Sequence, residues 1–264
     1  MDNSYFSFSK IESLQNDKIK DLSRIISKNN ERRKRKIFVV EGFQENNIAL
    51  KFGYTPIEFF ICMKIFQGKC PNAKINYISE KIYQNLAYRG TSEGIIGVYH
   101  EKQAKLENFL PKENSTIVLL ESIEKPGNLG AVLRSCEAFG IDAIIVTDPK
   151  TDFYNPNVIR SSVGCLFGIN FFQTDNKTAF NFFKNHDYQI ITTFMNENLR
   201  EIQNIDFNIN TVICFGTEHS GLSNFWKNKG ENFLIPMIGS IDSLNLSNAV
   251  AITCYESLRQ RKNL

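Results

Sequence analysis

The chain has 264 residues, 42% of them hydrophobic and 22% charged, a balance that suits packed globular domains and a length that accommodates two of them. It lacks a run of about 18 apolar residues, so no membrane span is expected. The opening segment MDNSYFSFSKIESLQND lacks the basic-then-apolar layout of a secretory signal, which makes a cytoplasmic location the expectation. Six scattered cysteines without a CxxC pair, and three histidines, argue against a disulfide scaffold or a zinc site, and no metal is expected.

Charge is unevenly spread. Residues 1–115 carry 19 Lys/Arg against 13 Asp/Glu, a net +6, whereas residues 116–264 carry 12 against 15, a net −3. The first part is therefore the better candidate for meeting phosphates, through Arg32, Arg33, Lys34 and Arg35 in the run that ends at Lys36. On charge alone, such a run is more often a solvated face than a nucleic-acid site.

In chain order, residues 10–28 place Ile11, Leu14, Ile19, Leu22, Ile25 and Ile26 at near-helical spacing, predicting an amphipathic helix. IFVVEG reads as a strand, and QENNIALKFG as a helix ended by Gly53. The run IEFFICM, the segment KINYISEKIYQNLA and a strand GIIGVYH complete a small α/β domain. The polar stretch 102–115, with Pro111, reads as a connection. The boundaries follow as a first domain over 1–105, a linker over 106–115 and a second domain over 116–264.

The second part alternates again. TIVLLES, AIIVTD, INFFQ, QIITTF, TVICFG and ENFLIPM read as strands. GAVLRSCEAFG, NPNVIRSSVG, TAFNFFKNH, LSNFWKNK and SLNLSNAVAITCYESLRQRK read as helices. Short apolar strands separated by helices predict a parallel sheet buried on both faces, with ligands beyond the C-terminal strand ends.

Three strand-to-helix junctions stand out. In the first, EKPGNLGAVLR, Asn128 opens a helix and Arg134 follows six residues later. Either an N-capped helix bears a surface arginine, or exposed amides and Asn128 approach a ligand while Arg134 grips a phosphate. The dinucleotide fingerprint GxGxxG is absent. In the second, FGTEHSGLS, two glycines five apart allow a sharp turn and close backbone approach. Glu218 between them needs a cationic partner, and His219 reads as a loop-exposed histidine. The third, IPMIGSIDSLNLSNA, holds Ser243, Asn245 and Ser247. Helix capping accounts for one such polar side chain, not three.

These three segments resemble the signature motifs of the SpoU/TrmH branch of the SPOUT class of RNA methyltransferases, in that family's order over residues 116–258. Motif one is NLGAVLR with the later Gly140, motif two FGTEHSGLS, and motif three IPMIGSIDSLNLSNA. Residues 1–100, including FVVEG and GTSEGIIGVY, resemble the L30e-like substrate-binding domain often fused ahead of it. His219 departs from the pattern, since many members have glycine there, and this bears on the local backbone angle.

The resemblance implies an α/β fold: a small L30e-like domain, then a parallel-sheet domain whose C-terminal segment forms a deep trefoil knot, an exception to the rule against knots. It implies S-adenosyl-L-methionine held by Gly216, Ile235, Met237 and Leu244, and chemistry at Arg134, Asn128, Glu218, Ser243 and Asn245. The implied reaction moves a methyl group to a ribose 2′-hydroxyl of RNA, ribosomal RNA ahead of tRNA, by a homodimer joined through the knotted domain. Members are held to use the motif-one arginine as base. A guanidinium stays protonated at ordinary pH, so anchoring a phosphate and stabilising a developing alkoxide is the other role for Arg134. A non-catalytic RNA-binding protein on the same scaffold is the alternative from another class.

Overall fold

The computed structural model describes residues 10–88, 93–102, 104–194, 199–241 and 243–262. Residues 90–92 of the GTSEG stretch and Asp242 of the third junction lie outside the described residues. The chain divides into two compact units, Met1–Lys102 with Tyr154–Arg160, and Gln103–Phe153 with Ser161–Leu264.

In the first unit, helix α1 (Asp17–Ser27) begins where the Asn16 side chain accepts from Lys18 N at 3.0 Å, satisfying a donor that helix starts leave open. Ile19, Leu22 and Ile25 on its inner face join a core with Phe60, Ile82 and Tyr83. Helix α2 (Asn29–Arg35) follows, then strand β1 (Ile37–Glu41), helix α3 (Phe43–Lys51), strands β2 (Pro56–Ile61) and β3 (Ile75–Tyr77), helix α4 (Glu80–Leu86) and strand β4 (Ile95–His100). The sheet order is β1-β4-β2-β3, with β4 antiparallel to β1 and β2, and β2 parallel to β3. Gly53 takes φ +70° just past α3 and donates to Leu50 O at 2.9 Å, the expected helix-ending role.

The basic run divides by environment. Arg32 is only 2% exposed, and its Nη1 donates to Ile25 O at 2.8 Å and Ile26 O at 2.9 Å. It satisfies carbonyls that the end of α1 leaves open, which removes it from the expected RNA contacts. Arg35 is tied to Asp21, Nη1 donating to both carboxylate oxygens at 2.8 and 3.0 Å. Arg33 and Lys34 are exposed.

Tyr154–Arg160 belongs to this first unit, where sequence placed it in the second. Tyr154 stacks on Phe38 with ring centroids 4.4 Å apart and donates its hydroxyl to Lys102 O at 3.2 Å. No local pattern around Tyr154 announces a partner more than 100 residues earlier.

The second unit has strands β5 (Thr116–Glu121), β6 (Ala143–Thr147), β7 (Asn170–Thr174), β8 (Gln189–Thr192), β9 (Arg200–Glu201), β10 (Thr211–Phe215) and β11 (Glu231–Leu234). Among the described residues they form one parallel sheet in the order β7-β6-β5-β10-β8-β11-β9. Every residue of β5, β6 and β10 is buried, as a sheet covered on both faces requires. Helices α5 (Pro126–Ala138), α7 (Asn176–Asn185) and α8 (Leu246–Lys262) connect these strands, and α6 (Pro156–Ser161) lies between β6 and β7 in sequence, with all but its last residue in the first unit. Helix α8 packs on α5, and its Ser257 hydroxyl lies 3.1 Å from that of Thr116 at the start of β5.

Two expectations change here. The segment 106–115 is no free linker: Leu106 is 5% exposed in the second core, and the Phe109 ring lies 5.3 Å from Phe172. Leu106 and Phe109, three apart, supply enough burial to hold it down. LSNFWKNK gives only a 3-10 turn, Asn224–Trp226, followed by Asn228 at φ +61°. One apolar turn does not meet the cost of nucleating a helix.

Among the described residues the cysteines are free, and Cys62, Cys136, Cys214 and Cys254 are buried. Burial pushes the Cys136 and Cys214 thiols well above the usual range, which suits packing rather than reactivity.

Candidate active site

In the second sheet, successive strands run outward from β5 through β6 to β7, while β10 lies on the other side of β5. Such a reversal opens a crevice at the C-terminal strand ends. Strands β5 and β10 are parallel neighbours, with Phe215 opposite Leu120, so the loops leaving them emerge side by side. That adjacency brings the first and second junctions together.

The β5 exit turns sharply: Ser122 takes φ +56° and donates its N–H to Thr147 O at 2.8 Å. Helix α5 then starts with Pro126, where a missing N–H costs nothing. The β10 exit is a closed turn. Thr217 N donates to Gly221 O at 3.0 Å and Gly221 N to Thr217 O at 3.1 Å. Ser220 N donates to Thr217 Oγ1 at 2.9 Å, and Gly221 takes φ +64°. His219 is not among the residues with positive φ, so the departure from glycine there is accommodated without strain.

At the tip of this turn the Glu218 carboxylate receives Asn128 Nδ2 on Oε1 and Lys125 Nζ on Oε2. The cationic partner that the sequence demanded is Lys125, the residue immediately before α5. Asn245 Nδ2 in turn reaches Asn128 Oδ1 at 3.5 Å. Asn245 also starts α8: its Oδ1 accepts from Ser247 N at 2.9 Å and Ser247 Oγ at 2.7 Å, and its carbonyl accepts from Asn248 N and Ala249 N at 3.0 Å. Capping therefore engages both Asn245 and Ser247, and Ser243 is the polar residue it leaves over.

Beside these linked side chains lies a cavity of about 700 Å3. Gly216, Ile235, Met237 and Leu244 all line it, as do Glu218 and Ser243. Its deeper wall is apolar, formed by Phe215, Leu222, Phe233 and Leu246. A few polar groups at the mouth of an apolar cleft is the usual make-up of a small-molecule site.

Gly216 acts differently from expectation. A side-chain carbon there would lie 1.9 Å from the Gly221 carbonyl carbon and 2.1 Å from Leu222 N. The glycine is needed so that the turn can fold back on itself, and it shapes the cavity through that turn.

Arg134 is not brought into this group. It is exposed on α5 and is not among the residues lining the cavity. Six residues carry it about 9 Å along the helix and about 120° around from Asn128. Among the described residues no hydrogen bond or ion pair engages it. Its charge does act on Cys165, whose thiol is raised by burial and by Glu137 and lowered by Arg134.

Glu121, the last residue of β5, went unmarked in the sequence. It is 4% exposed, and Ser223 N and Ser223 Oγ donate to its two oxygens at 2.6 and 2.7 Å. Asn176 Nδ2 donates to it as well, and Asn176 Oδ1 accepts from Trp226 Nε1 at 3.3 Å. The available signal was a carboxylate closing an otherwise apolar strand. Among the described residues no group of His, Cys, Asp or Glu is placed to hold a metal ion, and no helix is long and apolar enough to cross a membrane.

The chain is similar over its length to proteins of one kind. A family model described as SpoU rRNA Methylase family matches residues 115–255, and one described as MRM3-like substrate binding domain matches residues 16–97. A "Putative TrmH family tRNA/rRNA methyltransferase" of Staphylococcus aureus strain MSSA476 is 26% identical over 208 residues, 76% of this chain and 80% of the relative. The protein of the same name from Staphylococcus saprophyticus is 28% identical over 205 residues, 75% and 79% of the two chains. Among solved structures, an RNA 2′-O ribose methyltransferase is 30% identical with a TM-score of 0.83, covering 96% of this chain and 99% of its own. An rRNA methyltransferase from Sinorhizobium meliloti, 23% identical with a TM-score of 0.86 over 96% and 98% of the chains, shares the fold. The methylase model alone spans more than half of the residues, and the chain belongs to the SpoU rRNA methylase family, with an MRM3-like substrate binding domain ahead of the methylase region.

Proposed function

We propose that this RNA methyltransferase moves a methyl group from S-adenosylmethionine to a ribose 2′-hydroxyl, with ribosomal RNA as its target. The observation that carries the reading is the linking of Asn128 and Asn245 to Glu218, one residue from each junction, with Glu218 lining the 700 Å3 cavity. That volume, an apolar floor and main-chain groups of the Gly216–Gly221 turn fit an adenosine-bearing ligand with a charged tail. Gly216, Ile235, Met237 and Leu244 would hold it, and when bound it supplies an electrophilic methyl on a sulfonium centre.

The chain's own task is then alignment and charge stabilisation. Glu218, fixed by two donors, presents a carboxylate at the cavity mouth. Asn128 links it to Asn245 at the start of α8, so the three loops hold one geometry. Arg134, exposed and without an ion pair among the described residues, is available to anchor a phosphate of the target, in its own subunit or across a dimer. Ile238, Ile241, Ile252 and Tyr255 are exposed by 106, 62, 41 and 49%, which favours a homodimer through this part of the methylase unit. The expected trefoil knot belongs to the same proposal, with the motif-two and motif-three segments as its loops and the C-terminal segment passing through. In the first unit, Arg33 and Lys34 are left, of the four residues Arg32–Arg35 expected there, to meet RNA phosphates.

Calorimetry with S-adenosylmethionine and S-adenosylhomocysteine tests the cofactor, with saturable binding expected. Nucleoside mass spectrometry after transfer to rRNA and tRNA fractions tests the acceptor, with 2′-O-methyl nucleosides expected in rRNA. A well-folded chain that binds neither compound contradicts the reading.

A further inference from the structure

We infer that Lys125 is a positioning residue of the methyl transfer, aiming the Glu218 carboxylate at the cavity mouth; the inference rests on the methyltransferase reading above. Lys125 stands immediately before α5, its side chain 61% exposed, with no side-chain bond to the helix start. Local stability does not explain a lysine there. A cation at a helix N-terminus opposes the helix dipole, and Ser, Thr, Asp or Asn caps that position better. An exposed ion pair also adds little to folding. What the lysine does have is Glu218 Oε2.

The opposite partner makes the assignment sharper. The backbone of Glu218 is already fixed by the paired Thr217 and Gly221 bonds, so the main freedom left to it is rotation of its side chain. Asn128 holds Oε1 and Lys125 holds Oε2. One donor on each oxygen sets both the direction and the plane of the carboxylate, and charge-assisted bonds do so more strongly than neutral ones. Glu218 lines the 700 Å3 cavity and also a water-sized space of about 20 Å3 bordered by Lys125, Asn128 and Thr217. Without Lys125 the carboxylate keeps one fixed oxygen and is free to swing into that space.

The test compares Lys125→Met and Lys125→Arg with the wild type, using S-adenosylmethionine and rRNA transcripts. Losing one charge-assisted bond that matters in the transition state lowers kcat about 10- to 50-fold in Lys125→Met. Cofactor Kd and melting temperature stay close to wild type, and Lys125→Arg, which restores a cationic donor, recovers most of the rate. In the Glu218→Gln background, adding Lys125→Met slows single-turnover transfer no further, because the lysine acts through that carboxylate. An unchanged kcat, with or without a raised KM for RNA, overturns the inference and makes Lys125 a phosphate contact or a surface pair. Loss of cofactor binding with kcat, not recovered by arginine, overturns it in favour of a structural role. A wild-type chain that transfers no methyl group overturns the methyltransferase reading and the inference with it.

Discussion

Ser223 and Glu121, 102 residues apart, are joined twice: the Ser223 N–H and hydroxyl donate to the two oxygens of one buried carboxylate at 2.6 and 2.7 Å. This pair fastens the exit of the motif-two turn to the end of β5, and Asn176 ties the same carboxylate to α7. Glu121→Ala leaves these donors without an acceptor and is expected to cost about 2–4 kcal/mol. Glu121→Gln, which keeps one acceptor oxygen, is expected to cost less. Urea denaturation measures both, and equal stability of all three chains contradicts the anchoring role.

Gly216 and Gly221 are expected to fail differently. Gly216→Val places side-chain atoms into the Gly221 and Leu222 backbone, so the turn opens and saturable cofactor binding disappears. At Gly221 no atom lies within 4 Å of an added side-chain carbon, but φ is +64°. Gly221→Ala then meets only backbone strain of about 1 kcal/mol, with weakened but measurable binding by calorimetry. Full binding by Gly216→Val contradicts the turn geometry.

The basic run separates into structural and binding members. Arg32→Ala removes the donor to two α1 carbonyls and is expected to lower stability by about 1–3 kcal/mol. Replacing Arg33 and Lys34 with glutamine is expected to leave stability unchanged, weaken RNA binding and reduce the salt slope by about one for each phosphate no longer neutralised. Filter binding over a salt series, beside thermal melts, reads both. RNA affinity untouched by the Arg33 and Lys34 changes makes the run a solvated face.

The sequence made this division illegible, because five adjacent basic residues look alike until a helix assigns each a direction. Periodicity and glycine placement did reveal the parallel sheet and the three junctions, while the positions Gly216, Ile235, Met237 and Leu244, which line the cavity, came from the family resemblance. Those signals are local. What escaped depends on distant partners: Glu121 waits for Ser223, Lys125 for Glu218, and Tyr154 for Phe38. The LSNFWKNK turn shows the converse, a plausible helix overruled by Trp226, whose ring is fully buried and whose Nε1 reaches Asn176. Six residues separate Arg134 from Asn128, and helix geometry turns them to different sides of α5.

That separation gives Arg134 its own test. Arg134→Ala is expected to abolish turnover with cofactor affinity intact, and Arg134→Lys to keep partial activity with weaker RNA binding, since a fork is replaced by a point charge. Mixing Arg134→Ala with Glu218→Gln subunits distinguishes action across a dimer. Random exchange rebuilds one intact site in half of the dimers, so activity returns to about a quarter of wild type. No recovery places Arg134 in its own subunit's site, and a fully active Arg134→Ala removes it from the reacting centre.

The most direct measurement follows the methyl group itself. Purified chain is incubated with methyl-labelled S-adenosylmethionine and separate rRNA and tRNA fractions, and the RNA is digested to nucleosides and resolved by mass spectrometry. Label is expected in a 2′-O-methyl nucleoside from rRNA, formed much more slowly by Glu218→Gln. Label on a base, label confined to tRNA, or no label from a chain that binds the cofactor would contradict the proposed function.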